Sequence, residues 1–312
     1  MTGIEPMSLL YSFHYARTQP DVIERIHDMM VRANDHGIPF RLLVDSGAFS
    51  ADTQGIDISV DDYAEWLTDI CIPRWGPWMS GAFSLDVLRD PVASWNNWTR
   101  LTDLGVDTIP VVHMGADMSE FDRYADAGCD YIGFGGMVRR SLTRKKRWAT
   151  AAHIYLREHH PQMRAHGLGV NTPQLMRLPW WSVDSTAFTA SFRFGRLLLF
   201  DPRYGKLAHI DLTGRSGRNL DAERLLRGLY RVDPAEALRS DKDNRPLLAG
   251  LTGKANEEFQ RFYRQRHQIP SPASRPADTF GPHCHNVLWV DDVELMLDFY
   301  IDNYLDPQSG AS

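Results

Sequence analysis

Short apolar runs alternate with stretches whose apolar residues recur every three or four positions, from Ser8 to about Asp211. The runs read as strands and the periodic stretches as helices. Ser8–Tyr15 opens as a strand. Pro20–His36 follows as a helix, with Ile23, Ile26, Met29, Met30 and Ala33 on one face. The strands Arg41–Val44, Phe83–Leu88, Thr108–Met114, Tyr131–Gly135, Arg164–Gly169 and Trp181–Ser185 come next. The helices between them are Val60–Ile72, Asp90–Leu104, Met118–Ala127, Arg144–Glu158 and the short Pro173–Arg177. Leu197–Phe200 and Leu207–Asp211 supply an eighth strand or a hairpin. Strands alternating with helices are the signature of βα units on a parallel sheet. A count of about eight predicts an α/β protein built as a (β/α)8 TIM barrel.

Beyond Asp221 the pattern changes. The stretch to Asp278 is polar, rich in Arg, and interrupted by five prolines. Leu225–Leu229 and Ala255–Arg266 read as helices, Ser271–Asp278 as a loop, and Val293–Tyr304 as a final helix. The predicted organisation is therefore a catalytic core over 1–220, a polar appendage over 221–280, and a C-terminal helix within 281–306 that packs on the core. The tail from Asp306 is expected to be disordered.

The strand ends carry the chemistry-bearing residues. They read Asp45-Ser46-Gly47, Asp86, His113-Met114-Gly115, Gly133-Phe134-Gly135-Gly136, Gly167-Leu168-Gly169 and Asp184-Ser185-Thr186. A parallel barrel gathers such ends onto one rim. Two aspartates there fit a nucleophile paired with an acid/base group. Gly135 and Gly136 fit either amides offered to a carbonyl oxygen or a tight turn. After the fifth strand, Arg139, Arg140, Arg144, Lys145, Lys146 and Arg147 place six cations within nine residues. That run is either a phosphate-binding surface or a solvated helix face. Tryptophans 75, 78, 180 and 181 fall near the same strand ends, for stacking or for core packing.

Charge and cysteine content narrow the classes. The net charge of −6 provides no global attraction to nucleic acid, so such binding needs the local basic run. Cys71, Cys129 and Cys284 are too few and too scattered for a disulfide framework, which predicts a reduced, cytoplasmic protein. The first residues show no signal peptide, and no apolar run is long enough to span a membrane. There is no phosphate loop and no Cys-x-x-Cys pair. His283, Cys284 and His285 form the densest metal-capable cluster, against a simpler role in polar packing.

Taken in order, these short motifs resemble the tRNA-guanine transglycosylase (queuine tRNA-ribosyltransferase) superfamily. The resemblance is closest to the DpdA-like DNA 7-deazaguanine transglycosylases of phages and bacterial modification islands. It covers roughly residues 8 to 300, and its specificity lies in motif order and spacing. Asp45-Ser46-Gly47-Ala48-Phe49-Ser50 stands where the family has Asp-Ser-Gly-Gly-Phe-Gln. Ser84-Leu85-Asp86 matches its next acid, and His113-Met114-Gly115 replaces its Gln-Gly. Gly135-Gly136-Met137 matches Gly-Gly-Leu, Gly167-Leu168-Gly169-Val170 its Met-Gly-Val-Gly strand, and Val183-Asp184-Ser185 its nucleophile strand. His285-Asn286 matches a His-Asn opening the final helix. The family's Cys-x-Cys-x-x-Cys zinc segment is missing, which points away from the tRNA enzymes and implies no cofactor.

The resemblance implies exchange of guanine in DNA for a 7-deazaguanine such as 7-cyano-7-deazaguanine. Asp184 would be the nucleophile and Asp45 the acid/base group. Asp86, His113, Gly135, Gly136, Ser46 and Phe49 would bind the base, which could stack on Phe49 or Trp181. The basic run would hold the DNA. The partners implied are DNA and the free deazaguanine base, with room for a helper protein that opens the duplex, and no membrane. The competing readings are a tRNA-guanine transglycosylase, a barrel glycoside or nucleoside hydrolase using Asp45 and Asp184, and a non-catalytic nucleic-acid-binding subunit.

Overall fold

The computed structural model describes residues 7–185, 195–212, 219–238, 244–266, 283–286 and 290–301. Thr186, the Ser271–Asp278 loop and the tail from Asp306 lie outside the described residues. The chain is an α/β protein whose main sheet has eight parallel strands. In chain order these are β1 (Met7–Ser12), β2 (Phe40–Asp45), β3 (Met79–Ala82), β4 (Val111–His113), β5 (Tyr131–Gly135), β6 (Arg164–Gly167), β7 (Ser182–Ser185) and β10 (His283–Asn286). Their order across the sheet is β3-β2-β1-β10-β7-β6-β5-β4. Outside the named strands, an isolated parallel bridge links Phe83, just past β3, to Ile109, just before β4. Ile109 N–H donates to Ala82 O at 2.7 Å, and Ser84 N–H donates to Ile109 O at 2.9 Å.

Helices follow most strands because their apolar stripes need a sheet face to cover. The Pro20–Asp35 helix buries Val22, Ile23, Ile26, Met29, Met30 and Ala33, the face that the sequence pattern picks out. Each large apolar side chain so buried stabilises by roughly 1.5–3 kcal/mol. On the opposite side of the sheet, Leu10, Leu43, Phe83, Ile109, Val111, Tyr131 and Trp181 pack into a second, smaller apolar cluster.

Two sequence expectations are corrected, and one that offered a strand or a hairpin resolves to the hairpin. The third strand is Met79–Ala82, not Phe83–Leu88. Met-Ser-Gly-Ala has little apolar alternation to read, whereas Phe83 and Leu85 are buried in extended chain beyond the strand. Leu197–Phe200 and Leu207–Asp211 do not join the main sheet. They form a separate antiparallel hairpin, β8 (Arg196–Asp201) with β9 (Lys206–Asp211). Only four residues connect them, and a parallel pair would need a crossover of a dozen or more. The second correction is that His285-Asn286 lies in a strand and does not open the final helix. β10 runs parallel between β7 and β1, with Asn286 opposite Ser185 and Leu9. The sheet therefore extends past residue 280, beyond the 1–220 core expected from the pattern. His283-Cys284-His285-Asn286 has no apolar signature of a strand, so its neighbours alone define it.

The last helix, Val290–Tyr300, packs against the Pro20–Asp35 helix and is tied to it by Arg25–Glu294 at 2.7 Å and by Arg32–Asp298. It also packs against the Arg245–Arg266 helix, which in turn covers the β8–β9 hairpin.

Candidate functional site

Because the eight strands run parallel, their carboxyl ends share one edge, and Asp45, His113, Gly135 and Asp184 all arrive there. Asp45 is the last residue of β2. The chain turns sharply behind it, and Gly47 N–H donates back to Asp45 Oδ2 at 3.1 Å. Gly47 takes φ +80°, and a Cβ there would lie 2.4 Å from both His14 Cβ and Ser12 Oγ. Only glycine fits the turn that presents Asp45.

Asp86 reaches the edge on the extended segment after β3. Two side chains pin that segment: Tyr63 OH donates to Phe83 O at 2.7 Å, and Asn97 Nδ2 donates to Leu85 O at 2.9 Å. Asp86 Oδ2 is bonded to His113 Nε2 at 2.6 Å, so these two predicted base-binding residues form one unit. Gly135 lies directly against it, since a Cβ there would come within 2.7 Å of His113 Cδ2 and 2.6 Å of Val111 Cγ1. Gly136 follows on the same turn.

Asp184 sits near the end of β7, largely buried. Its Oδ1 accepts from Gly169 N–H at 2.9 Å and faces His166 Nε2 at 3.1 Å. Among the described residues its Oδ2 has no partner. The three carboxylates are close enough to act on one another. Burial first, then the charges of Asp86 and Asp184, push the Asp45 carboxyl up to about 7, against the smaller opposing pull of the Gly47 amide.

The other predicted residues divide. Phe49 is exposed on the short helix after Gly47, available to stack on a base. Ser46 is fully buried, and its Oγ accepts from Ala48 N–H at 3.4 Å, which commits it to the turn. Trp181 is corrected: it is buried in the apolar cluster and precedes Asp184 by three residues. At ~3.3 Å per residue that places it about 10 Å toward the opposite edge, out of reach of a base at the site. Trp75 and Trp180 are fully buried as well. The sequence reading missed His166, Ser182 and Tyr131. The signal was a histidine between Ala165 and Gly167 in an otherwise buried strand.

The basic run follows β5 on this same edge. Ser141 caps the Leu142–His159 helix, accepting from Arg144 N–H at 3.4 Å. The first turn holds no acid, so Arg144, Lys145, Lys146 and Arg147 crowd the positive end of the helix dipole. Among the described residues none of the six cations reaches a carboxylate, whereas Arg25, Arg74, Arg100 and Arg164 all do. Arg139 holds φ +60°, in the left-handed region, which costs roughly 1 kcal/mol for a non-glycine residue. Arg139→Gly should therefore raise the melting temperature, which a thermal melt of the two proteins checks.

His283, Cys284 and His285 occupy β10, with His285 registered opposite Asp184. Among the described residues no group of three or more His, Cys, Asp or Glu side chains could hold a metal ion. No described helix is long and apolar enough to cross a membrane. No protein-family model matches the chain, and no curated protein matches it.

Proposed function

We propose that the protein is a base-exchanging transglycosylase that replaces guanine in DNA with a 7-deazaguanine, working at the rim of a closed (β/α)8 barrel. The Phe83–Ile109 bridge, just past β3 and just before β4, supports the closure. The observation that carries the chemistry is an Asp45 carboxyl pushed up to about 7 by burial and by the charges of Asp86 and Asp184, with Asp184 Oδ2 meeting no partner among the described residues. A group with that pKa gives and takes a proton near neutrality with equal ease, which base exchange requires.

In this mechanism Asp184 Oδ2 attacks C1′ of the target nucleotide. The C1′–N9 bond breaks, its electron pair stays on guanine, and Asp45 supplies the proton that makes guanine a neutral leaving group. The deazaguanine then loses a proton to Asp45 and attacks C1′, and the bond to Asp184 breaks with its electrons returning to the carboxylate. Asp86, oriented by His113, accepts from the N–H groups of the guanine edge. Phe49 stacks on the base. Extrusion from a duplex costs a few kcal/mol, and stacking at ~1–3 kcal/mol per base offsets part of it.

The basic run, which meets no carboxylate among the described residues, fits a phosphate backbone. Replacing Arg144, Lys145, Lys146 and Arg147 together by Gln should weaken DNA binding and reduce the salt slope by up to about 0.9 per lost phosphate contact. An unchanged slope would return the run to a solvated helix face.

The deciding test of the whole reading is nucleoside mass spectrometry after incubating the protein with 7-cyano-7-deazaguanine and either duplex DNA or unmodified tRNA. A deazaguanine deoxynucleoside supports the proposal. A modified ribonucleoside alone assigns the chain to RNA. Free guanine without incorporation assigns a hydrolase.

A further inference from the structure

Beneath Asp184 lies a line of buried polar side chains. Asp184 Oδ1 faces His166 Nε2 at 3.1 Å, His166 Nδ1 is bonded to Ser182 Oγ, and Ser182 Oγ is bonded to Tyr131 OH. Every member is buried, His166 completely. They come from three neighbouring strands, β5, β6 and β7, and the ring edge of Phe83 packs on His166 at 4.8 Å between centroids. Buried polar groups are retained at a cost unless each is satisfied, and here each satisfies the next.

The composition is that of a serine–histidine–aspartate triad, but the direction is reversed. Ser182 Oγ sits 1 % exposed in the interior, where no substrate atom reaches it. The aspartate is the member at the rim. An ionised Asp184 only accepts, so the proton between it and His166 belongs to Nε2. That leaves Nδ1 to accept from Ser182, and Ser182 to accept from Tyr131. All three donors then point toward the carboxylate.

We infer that His166 is a positioning residue that, with its proton on Nε2 and backed by Ser182 and Tyr131, holds Asp184 turned so that Oδ2 faces the substrate. The inference rests on the reading of Asp184 as the nucleophile. When Oδ2 bonds to the sugar, the Asp184 charge is lost and the bond to His166 weakens. When the second base displaces the carboxylate, that charge returns and the waiting donor stabilises it. His166 therefore favours departure of Asp184 from the glycosyl ester as well as its readiness to attack. Among the described residues the charged group that acts on Asp184 from across the rim is Asp45, with Asp86 beyond it bonded to His113, and His285 is registered opposite Asp184 on β10. Among the described residues the other donor to Oδ1 is Gly169 N–H, which a substitution at His166 leaves in place.

Two measurements test it. The first is nitrogen-15 NMR of the histidine rings in the full chain, which reads the tautomer without any substrate. A proton on Nε2 of His166 and none on Nδ1 is the expected result. A proton on Nδ1, or on both nitrogens, overturns the inference. This readout is independent of base exchange, so absence of any exchanged product would count against the proposed function and leave the relay intact. The second is the pH profile of kcat/KM for exchange. His166→Leu should slow the reaction about 10- to 10²-fold and move its acid limb upward by about one to two pH units, the worth of one hydrogen bond to a charged group. His166→Gln, whose amide can donate to Asp184 and accept from Ser182, should restore the limb. If both variants keep the wild-type limb, His166 only fills space and the inference fails.

Discussion

Asp184→Ala should lose base exchange by a factor on the order of 10⁴ or more, because a covalent mechanism has no second nucleophile to fall back on. The geometry makes the expectation specific. Two donors, Gly169 N–H and His166, hold one oxygen of this carboxylate, and the other has no partner among the described residues. Alanine removes the attacking atom without adding bulk, so the fold should survive and DNA binding through the basic run should persist. The check is a denaturing gel of protein incubated with DNA in the absence of a second base. Wild type should carry a covalent adduct that added deazaguanine releases, and the variant should carry none. An adduct that persists in Asp184→Ala would move the nucleophile to another residue, with Asp45 the first to examine.

Asp45→Asn should have a large effect of opposite sign on two properties. Activity falls, because asparagine cannot carry the proton between the two bases. Stability rises, but only above mildly acidic pH. In the unfolded chain this carboxyl titrates near the ordinary aspartate value of about 4, and in the folded protein near 7. Its contribution to stability is fully present below pH ~4. It is lost progressively as pH rises to 7, because the folded state must then hold a third repelling charge. Asparagine has no such loss. Melting temperatures of the two proteins should nearly coincide at pH 4, diverge through pH 5–7, and stay apart at pH 8. The gap should be on the order of 2–4 kcal/mol, less whatever screening water at the rim provides. A constant gap across this range would show that Asp45 is not held near neutrality by its neighbours.

Much of this arrangement was legible in the chain itself, for physical reasons that differ by element. The Pro20–Asp35 helix and β5 were readable because burial imposes a period of 3.6 on one and an unbroken apolar run on the other. That Asp45, His113 and Asp184 lie at strand ends on one edge was readable because a polar group directly after a buried strand stands at its exit. What escaped was set by partners, not by pattern. Met79–Ala82 is a strand because β2 lies beside it, and His283–Asn286 because β7 and β1 leave a gap of one strand between them. His166 was hidden for a related reason. Its polarity is paid for by Ser182 and Tyr131, which are remote in sequence and adjacent only across the sheet. The pairing of Asp86 with His113 was equally invisible, since 27 residues separate two side chains that touch.

The placement of β10 bears on how the protein is made. β1 and β7 each depend on it for a neighbour, yet it lies about a hundred residues beyond β7 in the chain. A nascent chain emerging at ~5–20 residues per second exposes those two strand edges for several seconds before their shared partner is synthesised. Unpaired edges of this kind invite pairing with other chains. The pairing that completes the sheet is also its most non-local, which makes it slow. Expression yield is therefore governed by the passage from residue 185 to residue 286: a slower ribosome prolongs the hazard, and a chaperone that covers the β1 and β7 edges relieves it.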